Sequence, residues 1–378
     1  MHAYQWQLNR ISYKRSFVKM SMRARKRRRV QSAADTCPCF ESVDTNHHLG
    51  MVRAHPDLYT SSTELAFSMR LAPDAPRRRY RRRTHETKSL LHWGQRKLLL
   101  SEIKFITEHS FDNATVLYVG AAPGTHILQL MRMFPSLSFV LYDPAPFHET
   151  LKNAPRCTTH CELFCDQTAL EYARRSDVLF ICDIRTCDYT IHSEAYVQQR
   201  VQEDMLTQQR WHEIIQPQKS LLKFRLPWTP GKTEYLAGDL YLQAFAPLTS
   251  TECRLVPDRT RKILYDHIEY EERMFYFNTV QRTARYKHTM PVGLSCTGLD
   301  YCFDCRAEVD ILCAYLHKMH SLKLDEDVQL KFVELSAECS RVISSTRTLS
   351  CGNADTQKRL VNIRARQWID GKPAYMRD

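Results

Sequence analysis

The chain has 378 residues, of which 43% are hydrophobic, and a formal net charge of +12 at pH 7. This length and apolar content exclude a wholly disordered chain and allow one large core with extensions. Two runs, Arg23–Arg29 and Arg77–Arg83, carry six positive charges each, which together equal the whole net excess. The basic character therefore belongs to the N-terminal part and indicates nucleic acid or another polyanion as a neighbour, with a solvated tail or a nuclear-import signal as the alternative for the first run.

The apolar runs of the sequence indicate in which compartment the protein is located. The first residues have no apolar core typical of a secretory signal, and no run approaches the roughly 20 apolar residues that span a bilayer. We therefore expect an intracellular protein without a membrane segment, whose 14 cysteines are mostly free thiols. Cys302 and Cys305, with Cys296 and Cys313 nearby, lack a clear second pair at zinc spacing, so buried thiols are favoured over a metal site.

The predicted elements divide the chain into three parts. Residues 1–85 lack sustained periodicity and are expected to form a basic, flexible arm. Residues 86–290 begin with a helical pattern in SLLHWGQRKLLLSEIKFITEHSF and continue as short apolar runs separated by helical or polar segments. The runs are TVLYVG, LSFVLYD, TTHCELFCD, SDVLFICDIR, SLLKFRLPW, DLYLQAFAP and TECRLV. They predict an α/β fold with a mostly parallel central sheet and helices on both faces. Residues 291–378 are expected to form a cysteine-bearing, helical extension.

The stretch VLYVGAAPGTHILQL, residues 116–130, joins an apolar run to a helical pattern through small residues. This arrangement is typical of the first strand, turn and helix of a Rossmann-type sheet, although it matches neither the dinucleotide G-x-G-x-x-G pattern nor a Walker loop. The next run ends in Asp143, about twenty residues after the glycines, where an acidic residue typically accepts hydrogen bonds from ribose hydroxyls. A helix N-cap is the alternative role for Asp143. Together the two features predict a nucleoside-like ligand.

Polar residues also stand at the ends of later runs. Asp183 ends VLFICD, and Lys223 interrupts the apolar run SLLKF. A lysine in a buried strand is costly unless it is paired or functional. Sites in parallel sheets lie at the carboxyl ends of the strands, so these groups are candidate catalytic residues. An ion pair that only closes the end of the sheet is the alternative.

Six stretches carry a specific resemblance. They are GQRKLLLSEI, DNATVLYVGAAPGTHI, FICDIR, SLLKFRLPW, LQAFAPLTSTECRL and YEERMFYFN, in order from about Gly94 to Asn278. In these motifs the sequence resembles the cap-specific mRNA (nucleoside-2′-O-)methyltransferases of poxviruses, which also serve as small subunits of poly(A) polymerase, and the wider FtsJ-like enzymes of large DNA viruses. The resemblance implies a Rossmann-like fold that uses S-adenosylmethionine as methyl donor and requires no metal.

The resemblance also implies roles for individual residues. The family's catalytic tetrad falls on Lys97, Asp183, Lys223 and Glu252. The positions implied for the methyl-donor pocket are Gln95, Tyr118, Gly120, Ala121, Ala122, Pro123, Gly124, His126, Asp143, Phe164, Cys165 and Arg185, the last being an alternative contact for RNA phosphate. We expect burial and nearby positive charge to make Lys223 release its proton more easily, so that it acts as a general base or steers the hydroxyl.

The implied cap pocket matches the family less completely. Trp228 stands where the family has an aromatic residue that stacks on 7-methylguanine, and Glu271 stands where an acid accepts from the base edge. Pro230 replaces a second acidic residue of the family, so base recognition rests on Glu271 or on another acid such as Asp239. The resemblance leaves the second aromatic of the pocket unassigned. A packed core indole is the alternative for Trp228.

The function implied is methyl transfer to the ribose 2′-hydroxyl of the first transcribed nucleotide of m7G-capped mRNA. An alternative, also compatible as a second role, is a non-catalytic, RNA-binding processivity subunit that partners a poly(A) polymerase catalytic subunit. A third is ribosomal RNA 2′-O-methylation, against which Trp228 and Glu271 count. The expected location is intracellular, in the host cytoplasm or the virion.

Overall fold

The computed structural model describes residues 65–81, 93–187, 192–246, 250–282, 284, 286, 303–321 and 326–344, with short strands at Trp368–Ile369 and Lys372–Pro373. The chain divides into two units by its internal contacts. The first includes His109–Asp239 and Arg254–His267, and the second includes the described parts of Asp35–Glu108, Leu240–Cys253 and Ile268–Asp378.

The first unit contains nearly all of a seven-stranded sheet. Its strands are β1 Thr115–Val119, β2 Ser138–Tyr142, β3 Cys157–His160, β4 Val178–Cys182, β5 Lys219–Phe224, β6 Lys232–Tyr241 and β7 Cys253–Asp266. They lie in the order β3-β2-β1-β4-β5-β7-β6, and the pairings from β3 across to β5 are parallel. The predicted α/β class is confirmed. β1 and β4 are buried along their whole length, as expected for strands covered on both sides.

In the described residues, one helix lies between each pair of successive strands from β1 to β5, and the other helices lie before β1 or after β7. The helices are α1 Trp93–His109, α2 Ile127–Met133, α3 Glu149–Lys152, α4 Asp166–Glu171, α5 Glu194–Ile215, α6 His267–Tyr276, α7 Phe303–His320 and α8 Glu326–Ser344, with a π-helical segment Phe277–Gln281 after α6. Helix α5 begins at an N-cap, where the Ser193 hydroxyl accepts from the Tyr196 amide, and ends before Gln216, whose φ of 50° leaves the helical region. None of the described helices has both the length and the apolar content to cross a membrane.

One predicted strand has the wrong bounds. The apolar run DLYLQAFAP spans 239–247, but β6 ends at Tyr241 and most of the strand precedes the run. The strand has the sequence KTEYLAGDLY, in which Thr233 and Tyr235 are buried between exposed Lys232 and Glu234, and Leu236 and Ala237 continue the buried stretch. Period-two alternation is therefore limited to the first four residues, which lie before the apolar run.

In the second unit, the segment 65–81 packs along other parts of the unit. The Leu71 amide donates to the Leu240 carbonyl, and the Leu242 amide donates to the Met69 carbonyl, both at 2.8 Å. Arg77, in the second basic run, pairs with Glu269 at 2.6 Å and with Glu272 at 2.9 Å, both on α6. Part of the basic run is therefore neutralised within the protein.

A buried ion pair joins α1 to α7 in the same unit. The Arg96 guanidinium makes two hydrogen bonds to the Glu308 carboxylate, at 2.9 and 2.5 Å, and the Ser336 hydroxyl on α8 donates to Glu308 at 2.7 Å. Arg96 is 5% exposed and Glu308 is fully buried. Burial lowers the pKa of Arg96, but the Glu308 carboxylate more than offsets it, so the net pKa is raised. Each charge of this buried pair thus has a charged partner on the neighbouring helix.

We expect Glu308→Ala to destabilise the protein by about 3–5 kcal/mol, because it leaves the Arg96 guanidinium buried without its carboxylate. The control is Asp258→Ala, which removes the acid of the exposed Asp258–Arg261 pair and should cost no more than about 1 kcal/mol. Urea unfolding followed by circular dichroism measures both. Equal losses in the two variants would show that the buried pair contributes no more than a surface pair.

Candidate functional site

The turn after β1 contains two glycines with positive φ angles, a backbone conformation that glycine adopts more readily than other residues. Gly120 has a φ of +86°, and a Cβ at this position would lie 2.9 Å from the carbonyl carbon of Asp183. Gly124 has a φ of +70°, and a Cβ there would lie 2.7 Å from a methyl carbon of Leu151. A side chain at either position would add strain and a clash. The turn therefore lies against the end of β4, where Asp183 begins the next loop.

Asp143 follows β2 and shapes the same turn. Its carboxylate accepts from the Ala122 amide at 3.1 Å through one oxygen and from the Ala145 amide at 2.8 Å through the other. The residue is 1% exposed. Each carboxylate oxygen can accept a second hydrogen bond, so the predicted contact with ribose hydroxyls is compatible with these backbone contacts.

Other residues implied for the donor pocket differ in exposure. Tyr118 on β1 and His126 before α2 are 1% and 3% exposed, and their rings meet edge to face at 6.4 Å. Ala121 is buried, whereas Pro123 is exposed. The turn thus presents its proline to solvent while the rings behind it fill the core.

Phe164 and Cys165, implied to flank the adenine, lie between β3 and α4. Phe164 is 7% exposed and contacts the rings of Tyr142 at 5.0 Å and Trp211 at 4.9 Å. Cys165 is exposed, and a hydrogen bond with the Thr168 hydroxyl lowers the pKa of its thiol. Phe164 therefore has a packing role in the structure, in addition to the role that the resemblance implies.

Asp183 and Lys223 meet at the carboxyl ends of neighbouring parallel strands. Asp183 directly follows β4, and Lys223 is the next-to-last residue of β5. The Lys223 Nζ lies 2.9 Å from Asp183 Oδ1, and both side chains are largely buried. Arg254 on β7 places a guanidinium nitrogen 2.7 Å from the same oxygen, and its side chain is 3% exposed. One carboxylate thus faces two cations in a largely water-excluded place.

Two buried side chains of α5 support this cluster. The Gln208 side-chain oxygen accepts from the Lys223 amide at 3.0 Å, and its nitrogen donates to the Lys223 carbonyl at 3.2 Å. The Asp204 carboxylate accepts from the Thr186 amide at 3.0 Å and the Thr186 hydroxyl at 2.5 Å. Arg185, implied to contact the donor or RNA, lies 3.6 Å from Asp204. Helix α5 therefore fixes the backbone at Lys223 and the loop that follows Asp183.

The remaining members of the predicted tetrad form a pair in the second unit. The Lys97 Nζ on α1 lies 2.6 Å from Glu252 Oε1, and the two side chains are 13% and 15% exposed. The Ser250 hydroxyl accepts from the Glu252 amide at 3.1 Å. Gln95, implied for the donor pocket, lies on the same helix and is half-buried. The structure thus pairs Lys97 with Glu252 and Lys223 with Asp183, each amine with one of the predicted carboxylates.

Trp228, predicted to stack on a base, lies in the loop after β5. Its side chain is among the exposed large apolar groups, at 42%, which argues against a packed core indole. The guanidinium carbon of Arg225 lies 4.2 Å from the centre of its ring. Glu271 lies on α6 in the second unit and is half-buried, and burial followed by repulsion from Glu272 raises its pKa. Asp239, the alternative acid, is exposed on β6.

The cysteine motifs form no metal site in the described chain. Cys296 and Cys302 lie outside the described residues, while Cys305 and Cys313 are buried free thiols. Cys157 and Cys161, which lie in the stretch CTTHC, are also free thiols. In the regions that the structure describes, no group of three or more histidine, cysteine or acidic side chains is arranged to hold a metal ion.

The structure adds Arg254, Asp204 and Gln208 to the predicted site. Arg254 had a sequence signal, because it is a charged residue inside an apolar run, as Lys223 is. Asp204 and Gln208 had none, since polar residues on a long helix usually face solvent. Only the fold places these two side chains against the loop after β4 and the backbone of β5.

Comparison with known proteins gives a family and two groups of relatives. A family model described as "Poly A polymerase regulatory subunit" matches residues 75–338. The cap-specific mRNA (nucleoside-2′-O-)-methyltransferase of Myxoma virus (strain Lausanne) is 30% identical over 220 residues, which cover 52% of this chain and 63% of the relative. The protein of the same name from Fowlpox virus (strain NVSL) is 29% identical over 210 residues, covering 49% and 67%. The match thus spans less than two thirds of the length of the Myxoma virus relative.

Proposed function

We propose that this chain, which belongs to the family of poly(A) polymerase regulatory subunits, is a cap-specific mRNA 2′-O-methyltransferase. The reaction would move a methyl group from S-adenosylmethionine to the ribose 2′-hydroxyl of the first nucleotide after an m7G cap. The names of the Myxoma virus and Fowlpox virus relatives support this proposal. It places the protein in the host cytoplasm or the virion.

The observation that carries the proposal is the cluster at the ends of three adjacent strands. The Gly120 turn follows β1, Asp183 follows β4, and Lys223 stands near the end of β5, with 2.9 Å between the lysine nitrogen and the carboxylate. The carboxyl ends of parallel strands are where open α/β sheets bind ligands. The strand order from β3 to β5 also matches that of nucleotide-binding doubly wound sheets, which supports the Rossmann-like assignment.

The residues around the first turn fit the methyl donor. Positive φ angles at Gly120 and Gly124 let the turn pack against the end of β4 and against Leu151, where a Cβ would clash, and the Asp143 carboxylate accepts from the Ala122 amide of that turn. An acidic residue at the end of the second strand is where ribose hydroxyls typically bind in such sheets. When bound, S-adenosylmethionine supplies a methyl group that is already activated by the positive sulfur. The protein then has to position the accepting oxygen and manage its proton.

In this proposal Lys223 handles the proton of the 2′-hydroxyl. In its neutral form the amine can accept the proton that the 2′-hydroxyl loses, and in its charged form it can hold the hydroxyl oxygen in place. Asp183 orients the amine, and Arg254 shares the same carboxylate oxygen. The resemblance also assigns Lys97 and Glu252 to the reaction, and the same assay tests that assignment.

We expect Lys223→Met to lower methyl transfer to m7GpppA-capped RNA by about 10²–10⁴-fold, the usual range for loss of a general base. The control is Lys219→Met, which removes a lysine at the other end of β5 and should keep activity. Labelled methyl transfer to RNAs ending in m7GpppA, GpppA and pppA measures both variants and the cap requirement. Full activity of Lys223→Met, or equal transfer to all three RNAs, would contradict the proposal.

If Glu271 accepts from the base edge, cap binding should depend on pH. The base edge of 7-methylguanine offers donors, so an ionised carboxylate, which can accept through both oxygens, binds it more strongly than the protonated acid, which presents an O–H donor on one oxygen. Because its pKa is raised, affinity should be full above that pKa and should fall as the pH drops through it, at a higher pH than for an exposed glutamate. Titrations of m7GTP between pH 4 and 8 should show this fall. Glu271→Gln should bind more weakly at neutral pH and lose the pH dependence, and a wild-type profile in that variant would exclude the assignment.

A second role follows from the family description. We propose that the protein also partners a poly(A) polymerase catalytic subunit and extends its products. The basic residues Arg78, Arg79 and Arg81, exposed or half-buried on the segment beside α6, would contribute to RNA binding.

We expect wild-type protein to lengthen poly(A) tails made by the partner polymerase, and Lys223→Met to do so equally, because the proton acceptor has no part in that role. Gel analysis of tail length with and without each protein measures this. A variant in which Arg78, Arg79 and Arg81 are replaced by glutamine should lengthen tails less. Tails of unchanged length with wild-type protein would remove the second role and leave the methyl transfer untouched.

A further inference from the structure

Gln198 on α5 is a buried amide that holds the loop carrying Trp228. Its side-chain oxygen accepts from the Arg225 guanidinium at 2.6 Å and from the Trp228 backbone amide at 3.2 Å. The residue is 6% exposed. Both neighbours are donors, so the orientation of the amide is determined by its contacts. One acceptor atom therefore joins the helix to two positions of the loop after β5.

The side-chain nitrogen of Gln198 does not explain why a glutamine stands at this position. Within the described residues, the Gln198 side-chain nitrogen is buried without a hydrogen-bond partner. Leaving an amide donor unpaired in the interior is unfavourable. An apolar residue would avoid this cost, so what a glutamine contributes here is the acceptor oxygen. Within the described part of the chain, that oxygen accepts hydrogen bonds from the loop of Arg225 and Trp228 alone.

Arg225 in turn fixes the indole. Its guanidinium carbon lies 4.2 Å from the centre of the Trp228 ring, within the range of a cation–π contact. A planar guanidinium stacks on aromatic faces better than an ammonium does. The indole still has 42% of its surface exposed. Trp228 is thus an exposed aromatic side chain held at both its backbone and its ring.

We propose that Gln198 is a positioning residue for cap recognition: it holds Arg225 against the indole and fixes the Trp228 backbone, so that the ring is oriented before the methylated guanine stacks on it. The inference rests on the proposed function, in which Trp228 stacks on the cap. Preorganisation increases affinity because a flexible aromatic would lose conformational freedom on binding. The effect belongs to binding of the cap and not to the chemistry at Lys223.

The test is steady-state kinetics of Gln198→Leu with m7GpppA-capped RNA. We expect KM for this RNA to rise about tenfold, equivalent to about 1.4 kcal/mol, with kcat and the KM for S-adenosylmethionine unchanged. Gln198→Glu keeps the acceptor and should stay close to wild type. The matched control is Gln199→Leu, because Gln199 is an exposed neighbour that contacts Glu203 on the same helix. A purely structural role would lower kcat and donor binding as well, and would overturn the inference.

A second variant covers the case in which Gln198→Leu does not fold. Arg225→Met removes the stacked guanidinium and should raise the KM for capped RNA to a similar extent, whereas a wild-type KM in this variant would overturn the inference. Quenching of tryptophan fluorescence by m7GTP, with Trp228→Phe to identify the signal, gives an independent affinity. A wild-type protein that neither binds m7GTP nor methylates capped RNA would refute the proposed function. Normal wild-type activity with unchanged Gln198→Leu would refute this inference alone.

Discussion

The candidate site depends on one shared carboxylate. Asp183 faces the amine of Lys223 at 2.9 Å and the guanidinium of Arg254 at 2.7 Å through the same oxygen. Each of these cations would be costly to bury alone, and a carboxylate between them makes the burial of both possible. The arrangement requires three strands to end at one level, and the absence of a Cβ at Gly120 allows the first turn to approach the Asp183 backbone. The position of Asp183 therefore depends both on the glycine turn, which packs against its backbone, and on the two cations, which face its carboxylate.

Backbone groups around this buried cluster are hydrogen-bonded by side chains of α5. Gln208 bonds both the amide and the carbonyl of Lys223, and Asp204 bonds Thr186 in the loop after Asp183. Both come from α5, a 22-residue helix whose buried face includes several polar side chains. A polar network in the interior rigidifies a site only when its members are paired. Helix α5 thus connects the ion cluster to the loop of Trp228, where Gln198 has the same kind of contact.

Local patterns were enough to predict the first turn and the two strand ends. A glycine turn between an apolar run and a helix, an aspartate after an apolar run and a lysine inside one are each visible within a few residues. The pairing of Lys223 with Asp183 also follows, because adjacent parallel strands bring their carboxyl ends together. Asp204 and Gln208 could not be derived in this way, since nothing in the sequence of a long helix shows which of its polar side chains face the sheet. Arg254 is a visible charge inside an apolar run, but its partner Asp183 follows only from the position of β7 in the sheet. The bounds of β6 differ from the predicted ones because only its first four residues alternate between exposed and buried positions, whereas the run 239–247 is the longer apolar stretch.

Helix α1 in the second unit is held by two ion pairs made by neighbouring residues. Arg96 and Lys97 are consecutive, so on a helix their side chains point about 100° apart. One is paired with Glu308 on α7 and the other with Glu252. Glu308 is also bonded by Ser336 on α8, so the two C-terminal helices fix the rotation of α1 about its axis. Any rotation that moved Lys97 away from Glu252 would also pull Arg96 from a fully buried carboxylate. The C-terminal helices therefore help to determine where the Lys97 amine is presented, although they contribute no residue to the predicted tetrad.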